Sequence, residues 1–252
     1  MRWALQSYAL FESGGAVYEE RTYREWVMPE GLVRSDIRLQ ESDLCLLARP
    51  GEGARALDLL REARETLGRY IVRDGRFRVT LAPHEPLPGA PLIARRMARA
   101  AAIFGVGPMA AVAGAVAESV GERIAGDVIV ENGGDIYART HGPITVSLYA
   151  GGESQFTGKV KFRVDPRGAA IGIATSSATH GHSLSFGKAD AVCVVGSSAV
   201  DADAAATAFC NKVQTEADVA RVIEEAMGHE RVKGIIIAIG DKLGAAGEIE
   251  FV

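Results

Sequence analysis

The sequence has few aromatic residues, which occupy 6% of its 252 positions. Smaller apolar residues keep the hydrophobic share at 48%, so the composition argues against a disordered chain. Small residues are abundant instead, with 29 glycines and 40 alanines. We therefore expect a core that is built by close approach of backbones as much as by large side chains.

Cysteine is also scarce, and positive charge is not in excess. The three cysteines, Cys45, Cys193 and Cys210, lie far apart, which argues against a disulfide framework and favours a reducing cytoplasm. The formal net charge of −4 gives no basic footprint, so nucleic acid is not an expected partner. Met1–Leu10 shows no signal-peptide pattern, and the expected localisation is cytoplasmic.

Long hydrophobic runs of the membrane type are lacking as well. Ala100–Ala117 contains 18 residues without a charge, but it is rich in alanine and glycine and is interrupted by Pro108. Its transfer free energy per residue is weak. We interpret this stretch as a buried loop and helix start, and we expect no membrane partner.

The patterns along the chain predict the α+β class, with mixed sheets and helices packed on them. We expect one domain over residues 1–252, with two intimate subdomains meeting near 83–105 as the alternative. Apolar spacing predicts helices over Gly53–Leu67, Leu92–Phe104, Pro108–Arg123, Asp203–Lys212 and Glu216–Met227. Strands are predicted over Ser7–Tyr18, Arg21–Val27, Leu44–Ala48, Phe77–Leu81, Asp127–Val130, Ile144–Ala150, Gly158–Val164, Ala191–Val195 and Gly234–Gly240.

The first segment with chemical potential is Gly105-Val-Gly107-Pro108-Met109. Proline is well suited to the first helical position, and glycines allow a ligand to approach the backbone closely. Free N–H groups at a helix start hold anions, so this segment is a candidate phosphate contact. The alternative is a tight turn that brings two helices together.

The second segment runs from a predicted strand into Asn132-Gly133-Gly134-Asp135, with Glu131 before it. Asparagine and glycine suit left-handed turn geometry, and an ordinary hairpin turn is the simplest interpretation. Three polar side chains around two glycines also leave room for a ligand beside backbone amides. Asp135 is a candidate catalytic base there.

The third segment, Thr175–Ser183, is rich in hydroxyls and imidazoles, and flanking apolar segments place it near the core. Hydroxyls and neutral imidazoles are common contacts to phosphate or ribose, although a solvated loop would look similar. His182 is a second candidate base because histidine is poised for proton transfer at neutral pH. Zinc is a weaker hypothesis because the cysteines lack a paired spacing. The candidate ligand contacts are Thr175, Ser176, Ser177 and Ser183.

The fourth segment is Asp201-Ala-Asp203-Ala-Ala-Ala-Thr207. In a helix, Asp203 and Thr207 are four residues apart and share a face. One carboxylate and one hydroxyl suit a hard cation such as Mg²⁺, which also takes phosphate oxygens and water. The equally weighted alternative is that Asp201 caps the helix and Thr207 bonds to its own backbone.

These residues carry a family resemblance. Glu131-Asn-Gly-Gly-Asp-Ile136 resembles the Asn-x-Gly-Gly-Asp-Ile signature of ApbE-type flavin transferases, and Ala202–Ala208 is similar to their Ala-Asp-Ala-x-Ser-Thr-Ala segment. Thr175-Ser-Ser, Gly181-His-Ser and Gly107–Gly114 resemble more closely an uncharacterised ApbE-like family that is labelled as thiamine-biosynthesis-related. This closer resemblance covers nearly the whole chain.

The resemblance implies an ApbE-like fold and a function. The transferases move FMN from FAD to a protein threonine with Mg²⁺ and release AMP, which implies that Asp203 and Thr207 hold the metal. It also implies that Asn132, Gly133, Gly134 and Asp135 line the nucleotide pocket. In the transferases a Gly-Gly-Ile-Ala-Lys-Gly type segment precedes the helix, whereas this chain has Gly107-Pro-Met109 without the lysine. Their Ser-His-Ile-Ile-Asp-Pro stretch is likewise replaced in this chain by the compact segment Gly181–Gly187.

The expected function is therefore Mg²⁺-dependent binding or transfer of a flavin or nucleotide phosphate group, as in an FMN transferase. The expected partners are a small nucleotide or flavin ligand such as FAD or FMN, a protein acceptor and a second copy in a homodimer. The alternatives are a non-catalytic flavin or metabolite binder, or a component of sulfur assimilation, since the ApbE-like family has been connected with homocysteine synthesis. A thiol-dependent enzyme is the third hypothesis, against which the apolar surroundings of the cysteines favour inert core thiols.

Overall fold

The computed structural model describes residues 31–40, 42–152, 154–178 and 186–252. The strands predicted over Ser7–Tyr18 and Arg21–Val27 lie outside these ranges, as do His182 and Ser183. In the described part the helices are α1 (Glu52–Arg73), α2 (Gly75–Val79), α3 (Leu92–Phe104), α4 (Val112–Gly121), α5 (Ala199–Lys212) and α6 (Asp218–Met227). A 3-10 helix spans Pro108–Ala111.

The strands form two sheets in which the described pairs are all antiparallel. They are β1 (Val33–Leu39), β2 (Ser42–Ala48), β3 (Val128–Asn132), β4 (Asp135–Arg139), β5 (Ile144–Ser147), β6 (Lys161–Val164), β7 (Ala170–Ser176), β8 (Ala191–Gly196), β9 (Val232–Ile239), β10 (Lys242–Gly247) and β11 (Glu250–Phe251). The large sheet has the order β1-β2-β3-β4-β7-β8-β9-β10, and the small one has the order β11-β6-β5. The α+β prediction is confirmed.

The large sheet is covered on both faces. One face packs against the helices, where Leu44, Val130 and Val192 join a core with residues of α1 and α3–α6. The other face packs against the small sheet, where Ile129 and Ile173 meet Phe162. Burial on both faces explains why β8 and β9 are continuous apolar runs, while β6 alternates between exposed and buried residues.

The helix prediction over Leu92–Phe104 is confirmed residue for residue by α3. Gly105 ends this helix in the left-handed conformation (φ 73°), and its N–H donates to the Ala101 carbonyl at 2.9 Å. Across the described ranges, a single helix that is long and apolar enough to cross a membrane is not found. The pair Leu92–Phe104 and Pro108–Gly121, which is bent by 106°, meets that test of length and composition together.

The strand prediction over Phe77–Leu81 is wrong, because residues Gly75–Val79 form the short helix α2. The Asp74 side chain accepts a hydrogen bond from the Phe77 N–H at 3.1 Å and caps this helix. A five-residue helix is too short to show a helical period, and burial of one ring in the helix-side core decides its conformation.

A proline-rich strap, residues 80–91, connects α2 to α3. Asp74 holds it: the Tyr70 hydroxyl donates to Asp74 at 2.7 Å, and His84 Nε2 lies 3.0 Å from Asp74 Oδ1. The Leu87 N–H donates in turn to the Tyr70 hydroxyl oxygen at 3.0 Å. The strap is therefore attached to the end of α1 through one buried carboxylate.

Candidate functional site

The segment Glu131–Asp135 forms the turn of the β3–β4 hairpin, with Asn132 paired opposite Asp135. Gly133 and Gly134 both take positive φ (70° and 101°), and the Gly134 N–H donates to Glu131 Oε1 at 2.7 Å. A Cβ built on Gly134 meets no atom within 4 Å. The turn therefore borders open space and leaves room for a ligand.

This turn reaches the start of α4 through a side chain. Asn132 Nδ2 donates to the Ala113 carbonyl at 3.1 Å. The next residue of α4 makes the second link, because the Gly114 N–H donates to Asp203 Oδ2 of α5 at 2.9 Å. The structure thus brings the second and fourth sequence segments together through the first turn of α4, although 89 residues separate Gly114 from Asp203.

The contact between α4 and α5 requires glycine. A Cβ built on Gly114 would lie 2.2 Å from the Ala199 carbonyl oxygen and 2.9 Å from Asp203 Cβ. Gly172 of β7 is similar, since its Cβ would lie 2.2 Å from the Ser198 carbonyl oxygen. The small residues predicted to allow close backbone approach therefore do so around the start of α5, and they position Asp203.

Enclosure by protein strongly affects the Asp203 carboxylate. Burial raises the pKa of Asp203 to about 7, and the hydrogen bonds from the Gly114 and Ala113 N–H groups offset only part of that effect. The residue as a whole keeps some accessible surface. Neutral amide donors therefore offset only part of the cost of charging this carboxylate, which lies at a place that a ligand can reach.

Two hydroxyls lie on the elements beside this carboxylate. Thr207 is one helical turn beyond Asp203 on α5 and is buried, and the structure gives its hydroxyl no hydrogen-bond partner among the described residues. Ser176 is buried at the end of β7, on the same sheet face as Ala174 and hence toward the helices. Among the described residues, the Ser176 hydroxyl oxygen is buried without a hydrogen-bond partner. An unpaired buried hydroxyl is costly, so Ser176 has capacity for a hydrogen bond to a ligand.

Asp135 and Thr175 lie next to each other. Asp135 Oδ1 accepts from the Thr175 N–H at 3.3 Å, and the Thr175 side chain hydrogen-bonds the Cys193 thiol. Burial raises the pKa of Cys193 to about 12, which keeps the thiol protonated. Cys45 and Cys210 are also buried, and the three cysteines form no disulfide with one another. This environment gives the thiol-dependent hypothesis no support.

The Gly105–Met109 segment is closely packed. A Cβ on Gly107 would lie 2.0 Å from the Thr80 carbonyl oxygen, and the Ala110 N–H donates to the Gly107 carbonyl at 3.0 Å. Met109 packs partly buried against the helix-side core. These contacts account for both glycines by chain geometry, which is the tight-turn interpretation. Ser177 follows β7 and is half-buried.

A cation at this site would rely on few protein ligands. The described residues contain no group of three or more His, Cys, Asp or Glu side chains that are placed to hold a metal. Asp203 and Thr207 offer oxygen ligands, and a hard cation that keeps waters and takes phosphate oxygens would stabilise the charged form of Asp203. This pair fits Mg²⁺ and does not suit zinc, which prefers nitrogen and sulfur ligands.

Two features of α5 differ from the sequence interpretation. The helix begins at Ala199, four residues before the predicted start, and its N-cap is Ser198, whose hydroxyl accepts from the Asp201 N–H at 3.1 Å. Asp201 therefore does not cap the helix, and instead pairs with Arg231 at 2.7 Å.

Glu118 of α4 was not among the residues that the sequence predicted for the site. It is the single charged residue of α4, and that isolation in an apolar segment was the available signal.

Comparisons with known proteins agree with this architecture. A family model described as AbpE bacteria matches residues 24–231. The UPF0280 protein of Methanopyrus kandleri is 39% identical over 215 residues, covering 83% of this chain and 88% of that protein. The UPF0280 protein of Methanocaldococcus jannaschii is 41% identical over 201 residues, covering 77% and 82%. The apo flavinyl transferase ApbE of Pseudomonas stutzeri is similar in fold, with a TM-score of 0.50 and 14% identity over 86% of this chain and 94% of that chain.

Proposed function

Since this chain belongs to the AbpE bacteria family, we propose that it binds and transfers a flavin or nucleotide phosphate group with Mg²⁺ at the contact of α4, α5 and the β3–β4 turn. We call this place the α4–α5 corner. The proposal concerns a small flavin or nucleotide ligand such as FAD or FMN, with a protein acceptor for the transferred group.

One observation carries the proposal: Asp203 is enclosed, accepts hydrogen bonds from two backbone amides among the described residues, and has a pKa raised to about 7. A buried carboxylate in this state gains from a nearby cation, because the cation favours the charged form. We assign Asp203 and Thr207 as the residues that hold Mg²⁺. When bound, the ion supplies charge neutralisation to a diphosphate and its leaving oxygen.

The remaining residues of the corner receive roles toward the organic ligand. Gly134 borders open space, Gly133 is exposed, and both offer backbone to the ligand, while Asn132 is held against Ala113. The unpaired Ser176 hydroxyl supplies a hydrogen bond to phosphate or ribose. Gly105, Gly107, Met109, Thr175, Ser177 and Ser183 remain proposed contacts from their sequence pattern.

The proposed reaction is transfer of FMN from FAD to an acceptor hydroxyl. The phosphoanhydride bond of FAD breaks, a phosphoester to the acceptor oxygen forms, and AMP leaves with the electron pair. The hydroxyl proton passes to a base, for which Asp135 and His182 remain the two candidates. Asp135 is buried beside the Thr175 N–H. His182 lies outside the described residues.

The test is incubation of the purified protein with FAD, MgCl₂ and threonine-containing acceptor peptides. We expect AMP release and a flavin adduct on the peptide, both of which EDTA should abolish. Asp203→Ala should remove both products, whereas Asp201→Asn, on the same helix but paired with Arg231, should retain them. Wild-type protein that releases no AMP and forms no adduct would contradict the transferase assignment.

A second candidate function, a non-catalytic flavin or metabolite binder, is favoured by one observation. The Gly105–Met109 segment lacks the transferase lysine, and its Gly107 is pressed against Thr80. A protein that retains FAD or FMN in native mass spectrometry but gives no turnover would support this function. A retained sulfur metabolite instead would support the sulfur-assimilation alternative.

A further inference from the structure

The helices α4 and α5 each place one carboxylate against the start of the other helix. Glu118 of α4 accepts from the Ala199 N–H at 2.8 Å and the Val200 N–H at 3.4 Å, at the start of α5. In the other direction, Asp203 of α5 accepts from the Gly114 N–H at 2.9 Å, near the start of α4. Each carboxylate thus serves the N–H groups that its partner helix leaves unpaired in the first turn.

The spacing makes this exchange reciprocal. Gly114 and Glu118 are four residues apart on α4, and Ala199 and Asp203 are four residues apart on α5. A separation of four residues corresponds to about 6 Å along a helix axis. Because Glu118 meets Ala199 and Gly114 meets Asp203, the two helices run antiparallel at this contact. The contact of Glu118 with the start of α5 therefore determines where Asp203 meets α4.

Glu118 is itself firmly held. It is buried, and Arg96 of α3 donates to Glu118 Oε1 at 3.3 Å and to Glu122 at 2.7 Å. The α4 helix has no local side-chain cap of its own, so the Asp203 carboxylate is the group that serves its first turn. Loss of either carboxylate would leave buried N–H groups unpaired on the partner helix.

We propose that Glu118 is a positioning residue for the metal corner, which orients the Asp203 carboxylate by fixing α5 against α4. The carboxylate accepts from the Gly114 N–H through Oδ2 and also from the Ala113 N–H, which leaves lone pairs for Mg²⁺. This inference rests on the proposed function for its Mg²⁺ part. Its geometric part, the dependence of the Asp203–Gly114 bond on Glu118, stands independently of any ligand.

The experiment measures both parts on the full chain. Residue-resolved amide hydrogen exchange reports the Gly114 N–H, and calorimetry with MgCl₂ alone reports metal affinity. Glu118→Ala should lower the protection of the Gly114 amide at least tenfold and weaken Mg²⁺ binding at least tenfold. Glu118→Gln keeps an acceptor oxygen at the same reach, so it should restore most of the Gly114 protection and of the Mg²⁺ affinity.

Asp201→Asn is the matched control, because it weakens the ion pair between Arg231 and another buried carboxylate of the same helix. It should lower Tm yet leave Gly114 protection and Mg²⁺ affinity within twofold of wild type. If Glu118→Ala does not fold, Glu118→Asp decides, since it retains the charge but is one methylene too short to reach the Ala199 N–H. We expect it to lower Gly114 protection and Mg²⁺ affinity in the same direction.

The outcomes separate the two proposals. Folded Glu118→Ala or Glu118→Asp protein with unchanged Gly114 protection and unchanged Mg²⁺ affinity would overturn the positioning role. An equal loss in Asp201→Asn would also overturn it, by showing a general effect of stability. Wild-type protein that does not bind Mg²⁺ would overturn the metal part of the proposed function, while Gly114 protection would still decide whether Glu118 orients Asp203.

Discussion

Two enclosed aspartates, one at the strap and one at the α4–α5 corner, have opposite electrostatics. Burial by itself would raise the pKa of Asp74, but hydrogen bonds from Tyr70, Phe77 and His84 bring it below the ordinary value. Burial raises the pKa of Asp203 to about 7, and the amide N–H groups of Gly114 and Ala113 offset only part of that effect. The balance between burial, which is the largest effect on both carboxylates, and the hydrogen-bond donors that oppose it therefore decides the charge state.

This difference distinguishes a structural carboxylate from a candidate functional one. Asp74 is satisfied by the protein alone and attaches the strap to α1 and α2. The hydrogen bonds to Asp203 offset only part of the effect of burial, and among the described residues the Ser176 hydroxyl, on the neighbouring strand β7, is buried without a partner. The hydrogen bonds to Asp203 do not fully offset its burial, whereas those to Asp74 do. This is the physical reason for assigning a cation and a phosphate ligand to the corner and not to the strap.

The largest expected effect on stability is at the strap. Asp74→Ala removes the acceptor of three donors and the cap of α2, and we expect a loss of about 3 kcal/mol in the free energy of unfolding. Urea unfolding followed by circular dichroism measures it. A loss below about 1 kcal/mol would show that the strap network does not hold the protein together as argued.

The next effect concerns the close contact at the corner. Alanine normally favours a helix over glycine, yet Gly114→Ala should destabilise the protein by about 2 kcal/mol, because its Cβ would lie 2.2 Å from the Ala199 carbonyl oxygen. The same unfolding measurement applies. A stabilised Gly114→Ala variant would mean that α4 and α5 separate easily.

Asp203→Asn should change stability by less than about 1 kcal/mol at neutral pH, because the amide oxygen still accepts from Gly114 and no buried charge remains. The pH dependence is the sharper readout in metal-free protein. Folded Asp203 keeps its proton up to about pH 7, whereas the unfolded chain releases it near 3.8, so the free energy of unfolding of wild type relative to Asp203→Asn should fall as the pH rises between these values. A difference that does not depend on pH would contradict the raised pKa.

The smallest expected effect is at Gly75, which begins α2 at the strap. A Cβ there meets no atom within 4 Å, and the position does not have positive φ. Gly75→Ala should therefore stabilise the protein by about 0.5 kcal/mol through the unfolded chain. Gly75→Ala and Gly114→Ala make the same substitution at a position with open space and at a position in close contact. Equal effects of the two substitutions in thermal and urea unfolding would show that the space around the glycine does not decide the outcome.

The candidate site was predictable in part from local patterns. The turn at Gly133–Gly134 and the shared face of Asp203 and Thr207 follow from residue types and short spacings. The roles of Glu118 and of the Gly114 N–H were not predictable, because their hydrogen-bond partners lie 81 and 89 residues away. Local patterns contain no information about which distant N–H group a carboxylate will meet.

The sequence by itself determined the α+β class, the bounds of α3 and the hairpin turn, because apolar period and glycine-rich turns are local properties of the chain. Only the tertiary structure decided that Phe77 lies in a helix, that α5 begins at Ala199, and that Asp203 is left uncompensated while Asp74 is satisfied. These outcomes depend on burial and on hydrogen-bond partners brought from distant segments. The charge of a buried side chain is set by that assembled environment, and no local pattern contains it.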